Sequence, residues 1–292
     1  MRIRLFPAPL VFALVAVVAC VTARVPASLV SEVWTPASLS TDEFESHPAF
    51  SADGSVMLFV RSRADFTRWR ILESDCLSGG WSAPRSPSFS GDGVEADPFF
   101  AADGRVFFIS SRHAPGKSGD DLDIWYTRRS GSSWAEPTRL PEPVNSPGAE
   151  WFPRFVAGTL YFGSDRPGGF GATDLYKASQ AVDGAWSVEN LGPPLSTEGD
   201  EYEFEISPRN DFAIVMADRG QAGGRLYRTR RHGAHWSELE PVTQGGAGFQ
   251  VGPLLSRDGA TLLFAQVAPG RSGEIMRLRL RPGRNDSWGR CG

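Results

Sequence analysis

The chain's 292 residues are 41% hydrophobic and 22% charged, with a formal charge of −4 at pH 7. That balance provides for a buried core and excludes an intrinsically disordered chain. The lack of a basic excess excludes a nucleic-acid backbone as partner.

The amino end reads as a processing signal. Arg2 and Arg4 precede an apolar run from Leu5 to Ala19, interrupted by Pro7 and Pro9 and short for a membrane span. Residues 1–19 are therefore predicted to be a signal peptide. The run ends in Val17-Val18-Ala19-Cys20, which resembles the lipobox of bacterial lipoproteins and would make Cys20 the lipidated residue. Cleavage after Val21-Thr22-Ala23 and an uncleaved anchor are the alternatives, and all three carry the body of the protein across a membrane. The expected location is the periplasm, with a lipid anchor in the outer membrane. In that oxidising compartment Cys76 and Cys291 are available to pair, although spacing alone does not say whether they meet. No Cys/His cluster has zinc spacing, and neither a metal nor a cofactor is expected.

Residues 20–44 read as a linker, and from residue 45 one unit is written five times. It begins Glu45-Ser-His-Pro48-Ala-Phe50 before Asp53-Gly54, and Glu95-Ala-Asp-Pro98-Phe-Phe100 before Asp103-Gly104. The third and fourth copies are Glu150-Trp-Phe-Pro153-Arg-Phe155 and Glu201-Tyr-Glu-Phe204-Glu-Ile206. The fifth is Gln250-Val-Gly-Pro253-Leu-Leu255 before Asp258-Gly259. Proline tolerates an edge or first position of a strand, and Asp-Gly is hairpin-turn chemistry. From the second copy a third short strand follows, at Asp123-Ile-Trp-Tyr126, Asp174-Leu-Tyr176, Arg225-Leu-Tyr227 and Glu274-Ile-Met276. The units close on Trp81, Trp134, Trp186, Trp236 and Trp288, which read as packing anchors.

Four strands in about 50 residues, with no helix-period stretch between them, describe a β-propeller blade. The predicted fold is all-β: four-stranded antiparallel blades over residues 45–292, five in number, with six as the alternative. Trp34-Thr-Pro-Ala-Ser-Leu39 copies the form of Trp134-Ala-Glu-Pro-Thr-Arg-Leu140. It reads as an orphan outer strand that could complete the last blade, leaving Trp288 redundant or packed outside.

The Pro-x-Phe-x-x-Asp-Gly core, with the stretch Ser164-Asp165-Arg166-Pro-Gly-Gly-Phe-Gly-Ala-Thr-Asp174-Leu-Tyr176, resembles the WD-like propeller repeats of the TolB family. The resemblance covers about residues 45 to 290. It implies an envelope propeller, but residues 21–44 leave no room for a TolB-type amino-terminal α/β domain, so a role in the Tol system is not implied.

Three positions before the proline stand Glu45, Glu95, Glu150 and, before Phe204, Glu201, with Gln250 in the fifth copy. One reading is a ring at the channel mouth that binds a cation or performs glycosidic acid/base chemistry. The other, preferred, is structural. Arg63, Arg112, Arg166 and Arg219 follow the second strand, and the fifth copy has Ala268, so acid and base vanish together and read as ion pairs. The fifth copy would then mark a binding edge or the seam of the ring. The loop from Lys117 to Asp123 lacks EF-hand spacing, and His47, His113, His232 and His235 are scattered and read as surface residues. No Gly-x-Ser-x-Gly elbow and no phosphate-cradling motif occurs. The expected function is a non-catalytic, monomeric envelope propeller that binds or scaffolds an envelope protein or a peptidoglycan-associated partner. The alternatives are a hydrolase or lyase acting on a glycan through axial carboxylates, and a small-ligand sensor.

Overall fold

In the first hairpin, Ser51 N–H and Gly54 N–H close the Asp-Gly turn, and Asp53 Oδ1 accepts from Ser55 N–H at 3.1 Å. Gly54 takes a φ of 68° and the equivalent Gly104 and Gly259 take 84° and 65°, a region costly for residues with a Cβ. A hairpin of first and second strands occurs five times, three of them with the Asp-Gly turn, in the computed structural model of the chain, which describes residues 30–115, 117, 119–220, 223–243, 248–267, 270, 272–281, 288 and 291. The expected signal peptide, Cys20 and Ala268 lie outside the described residues.

Blade 1 consists of Phe44–Phe50, Val56–Ser62, Arg70–Leu77 and Gly80–Trp81. Blade 2 has Glu95–Phe100, Arg105–Ser110 and Asp123–Ser130, with Ser133–Trp134 and Thr138–Arg139 both on its outer edge. Blade 3 is Glu150–Val156, Thr159–Ser164, Asp174–Gln180 and Trp186–Asn190. Blade 4 is Asp200–Ile206, Phe212–Asp218 and Arg225–His232, edged by His235–Trp236 and Glu240–Pro241. Blade 5 takes Gln250–Leu255, Thr261–Gln266 and Glu274–Arg279 from the carboxyl end and its outermost strand, Ser31–Val33, from the amino end. The propeller has five blades, not six.

The first strand of each blade touches those of both neighbours, and the fifth touches the first, so these strands surround the axis. A single apolar cluster fills each of the five interfaces between blades. Leu58, Ile71 and Phe89 meet Val106, Phe108 and Trp134 between blades 1 and 2, for example. Ring closure uses Leu39, Met57, Phe59 and Trp81 against Leu263, Ile275 and Trp288. Trp288 is thus buried at the seam, neither redundant nor outside, and a Cys76–Cys291 disulfide ties its segment to blade 1. Trp81 and Trp134 are buried, whereas Trp186 and Trp236 are half-buried.

Candidate functional site

The proline of the repeat builds the axis. Because Pro has no N–H to give the ladder, the first strand bulges beside it. Pairing runs Ser46↔Val60 and resumes at Ala49↔Leu58, with the same slip in blades 2, 3 and 5. The residue before the proline adopts a positive φ: His47 47°, Asp97 55°, Phe152 50° and Gly252 64°. For residues other than glycine this conformation costs about 1–3 kcal/mol each and persists only where the surroundings enforce it. At Gly252 the reason for glycine is close approach, since a Cβ there would lie 2.7 Å from the His47 backbone nitrogen. Blade 4 has Phe204 in place of proline and slips between Glu201 and Glu203 instead.

These bulges bring three titratable side chains together. His47 Nε2 lies 3.0 Å from Glu203 Oε1 and 3.2 Å from Asp97 Oδ1, and its Nδ1 lies 2.8 Å from Ser46 Oγ. Asp97 Oδ2 accepts the Phe152 N–H at 2.9 Å, and Glu203 Oε2 accepts the Gly252 N–H at 2.8 Å. The cluster therefore links all five blades. Burial alone would push the His47 imidazole down, but the charge of Asp97 and the hydrogen bond and charge of Glu203 outweigh it and hold it above its ordinary value. Glu203 is raised by burial, an effect only partly offset by His47. A second polar layer joins Arg154 Nε to Glu205 Oε2 at 2.7 Å, while Glu205 Oε1 accepts the Leu255 N–H at 2.9 Å. The Arg154 guanidinium lies 3.4 Å from the Phe152 ring centroid. Two polar layers thus plug the axis.

The plug separates two cavities. On the His47 side a cup of about 270 Å³ is walled by Phe66, Trp69, Trp151, Tyr202 and Phe249, with His47, Asp97 and Glu203 among its remaining lining. Its rings form two edge-to-face pairs, Trp151 with Tyr202 at 6.1 Å and Phe66 with Phe249 at 5.1 Å. On the Glu205 side a broader apolar depression of about 570 Å³ is lined by Phe50, Phe99, Phe155 and Leu254.

The four glutamates singled out in the sequence do not form an open ring. All are buried, and each receives an arginine of its own blade. Arg166 lies 3.1 Å from Glu150, Arg219 lies 3.1 Å from Glu201, and Arg112 bonds Glu95. Arg63 is the exception: Arg61, not Arg63, sits on Glu45 at 2.8 Å. The register explains the exchange. In blades 2, 3 and 4 the residue opposite the glutamate is Ser110, Ser164 or Ala217, small enough for an arginine two positions on to reach over it. In blade 1 the opposite residue is Arg61 itself.

These arginines also donate to loop carbonyls, Arg61 to Leu39, Arg112 to Phe89, Arg166 to Val144 and Arg219 to Pro194. Each clamp pins the connection entering its blade. Burial raises all four carboxyls, and Glu150 is pushed up to about 7, with hydrogen bonds from Ser146 and the charge of Arg166 restraining it. In blade 5 a neutral pair replaces the clamp, with Gln250 Nε2 donating to Gln266 Oε1 at 2.9 Å. Blade 5 is also where the two ends of the chain meet.

Lys117 and Arg139 both engage the buried Asp123, so that carboxylate is directed into the blade. Among the described residues no His/Cys/Asp/Glu group is arranged to hold a metal ion. His232 and His235 are exposed, but His47 is buried. Sequence reasoning missed His47, Asp97, Glu203, Arg154 and Glu205. A signal was present: aligned on the proline, the preceding column reads His, Asp, Phe, Glu, Gly and does not repeat. Side chains that converge on one axis must complement each other, so that column has to vary.

The sequence matches no protein-family model and no curated protein. Solved structures do resemble the fold. TolB from Acinetobacter baumannii is similar at a TM-score of 0.50 and 16% identity over 83% of this chain, which spans 56% of that protein's length. A putative TolB from Agrobacterium tumefaciens gives 0.51 and 17%, covering 79% of this chain and 72% of that one. An α-L-arabinofuranosidase from Podospora anserina, solved in complex with cellotriose, gives 0.52 and 11%, covering 84% and 92%. At these identities the likeness to TolB and to the glycosidase is one of β-propeller fold.

Proposed function

We propose that this chain is a non-catalytic binding module of the bacterial cell envelope, exported by residues 1–19, tethered by lipid at Cys20 and monomeric. Its partner is an envelope protein or a peptidoglycan-associated molecule, and the aromatic cup is where it binds. One observation carries the reading. Beneath a mouth walled by aromatic rings, Asp97 and Glu203 share the His47 imidazole and each accepts a backbone N–H, and behind them Glu205 holds Arg154 and a backbone N–H. Glycosidic chemistry requires one carboxyl to give a proton and another to attack or to activate water, whereas Asp97 and Glu203 share one imidazole. A rigid ring with loops at its rims is a common binding scaffold, and the likeness to TolB structures agrees with that use.

The test places a photo-crosslinking residue at Trp69 or Phe249 on the cup and, as a control, at the exposed Glu238, in cells. One recurring envelope adduct from the cup positions and none from position 238 is expected. Equal adducts from all three positions would refute the assignment. Glycan hydrolysis is the second reading, favoured by the glycosidase likeness and by acids lying under aromatic rings. It requires turnover on a polysaccharide panel that Asp97→Asn or Glu203→Gln abolishes without lowering the melting temperature. A wild-type chain inert on the panel would remove it.

A further inference from the structure

The cup has three properties that together select a ligand class. The first is size. At about 270 Å³ it falls just below the roughly 300–1,000 Å³ of sites for drug-sized ligands, which suits a single small headgroup rather than an oligosaccharide.

The second is charge. Asp97, Glu203 and Asp218 line the cup with His47, and no lysine or arginine is among its described lining residues. Even with a fully protonated imidazole the acids outnumber the base. The deeper pair of Arg154 and Glu205 is neutral as a unit. A cavity with apolar walls and a negative floor concentrates field on whatever enters it.

The third is the character of the walls. Five aromatic residues surround the space, and two of their pairs meet edge to face at interplanar angles of 80° and 75°. The indole N–H of Trp69 is already used, donating to the Phe66 carbonyl at 2.5 Å. The floor carboxylates share the His47 imidazole, and each accepts a backbone N–H. Beyond Asp218, which accepts the Gly220 N–H, a polyhydroxylated sugar would find few replacement partners for its lost water, and a primary ammonium needs several acceptors. A fully methylated ammonium needs none. Aromatic faces attract it through their quadrupoles, most strongly where water is excluded.

We infer that the aromatic cup at the His47 end of the axis is a cation cage for a small quaternary ammonium group, held by Trp69, Trp151, Tyr202, Phe66 and Phe249 above the Asp97 and Glu203 carboxylates. The inference rests on the reading of the cup as this protein's binding site. The chemistry is shared by a free quaternary amine and by a phosphocholine lipid headgroup, and the test separates them.

Calorimetric titration of the purified full chain uses tetramethylammonium, choline, the uncharged carbon isostere of choline, L-arabinose, and phosphatidylcholine vesicles against vesicles of phosphatidylglycerol alone. Saturable binding of both free cations is expected, with the uncharged isostere at least roughly tenfold weaker. Added phosphatidylcholine vesicles that displace choline identify the lipid as a source, and vesicles that do not leave the free amine. Trp151→Leu keeps an apolar wall and should weaken choline by about tenfold at an unchanged melting temperature. Should that variant unfold, Asp218→Asn serves instead, weakening the cation severalfold and leaving the isostere unaffected. Equal affinity for choline and its isostere overturns the cage and leaves an apolar binding cup. Preference for arabinose overturns it in favour of a glycan site. If none of these ligands binds while the crosslinks still map to the cup, the binding-site reading stands and the cation falls.

Discussion

Replacing Arg166 with Met would leave the Glu150 carboxylate buried without the guanidinium that lies 3.1 Å from it. Breaking a buried ion pair from one side costs about 3–5 kcal/mol, because the remaining charge keeps its desolvation penalty. For a domain of this size each kcal/mol moves the melting temperature by about 2–4 °C, so a fall of roughly 10 °C is expected at pH 8. The cost must depend on pH. Burial already lifts Glu150 to about 7, and loss of the Arg166 charge, one of the effects restraining it, raises it further. A carboxyl whose folded pKa exceeds its unfolded value contributes stability that is full below the unfolded value, near 4.5, and is lost as pH rises through the folded value. At pH 5 the variant's Glu150 is protonated, and most of the deficit should vanish. Adding Glu150→Gln to the variant removes the buried charge and should recover much of the loss at pH 8, as the neutral Gln250–Gln266 pair of blade 5 suggests. The assay is thermal unfolding followed by circular dichroism at both pH values. A deficit equal at pH 5 and pH 8, or one below about 1 kcal/mol at pH 8, would refute the reasoning.

Two further predictions concern the axis and the seam. The His47 imidazole should titrate above 6.5 by nuclear magnetic resonance, and Asp97→Asn should lower its midpoint. The stability that His47 contributes is then full below its unfolded value and lost as pH rises through the folded one; a wild-type midpoint at or below 6.5 contradicts the geometry. Reduction of Cys76–Cys291, which spans 215 residues, should destabilise the chain by about 5 kcal/mol in the loop-entropy picture. A Cys76→Ser/Cys291→Ser variant that melts with the wild type would show that blade packing alone holds the seam.

Repetition makes the blades legible in the amino-acid sequence. Pro-x-Phe, Asp-Gly, the short third strand and the closing tryptophan encode local geometry, and local geometry lies within a few residues of its cause. The orphan context of Trp34 points to the amino-terminal strand, Ser31–Val33, that pairs with blade 5. The pairing of Glu95, Glu150 and Glu201 with arginines can be read from residues that recur together. Tertiary structure alone decided three matters. It put Arg61 rather than Arg63 on Glu45, because strand register chooses between neighbours that composition cannot separate. It buried Trp288 at the seam. It also brought His47, Asp97 and Glu203 to one point, although they are widely separated in sequence and occupy the column of the repeat that varies. Convergence on an axis is a property of the closed ring, and no single copy of the repeat contains it.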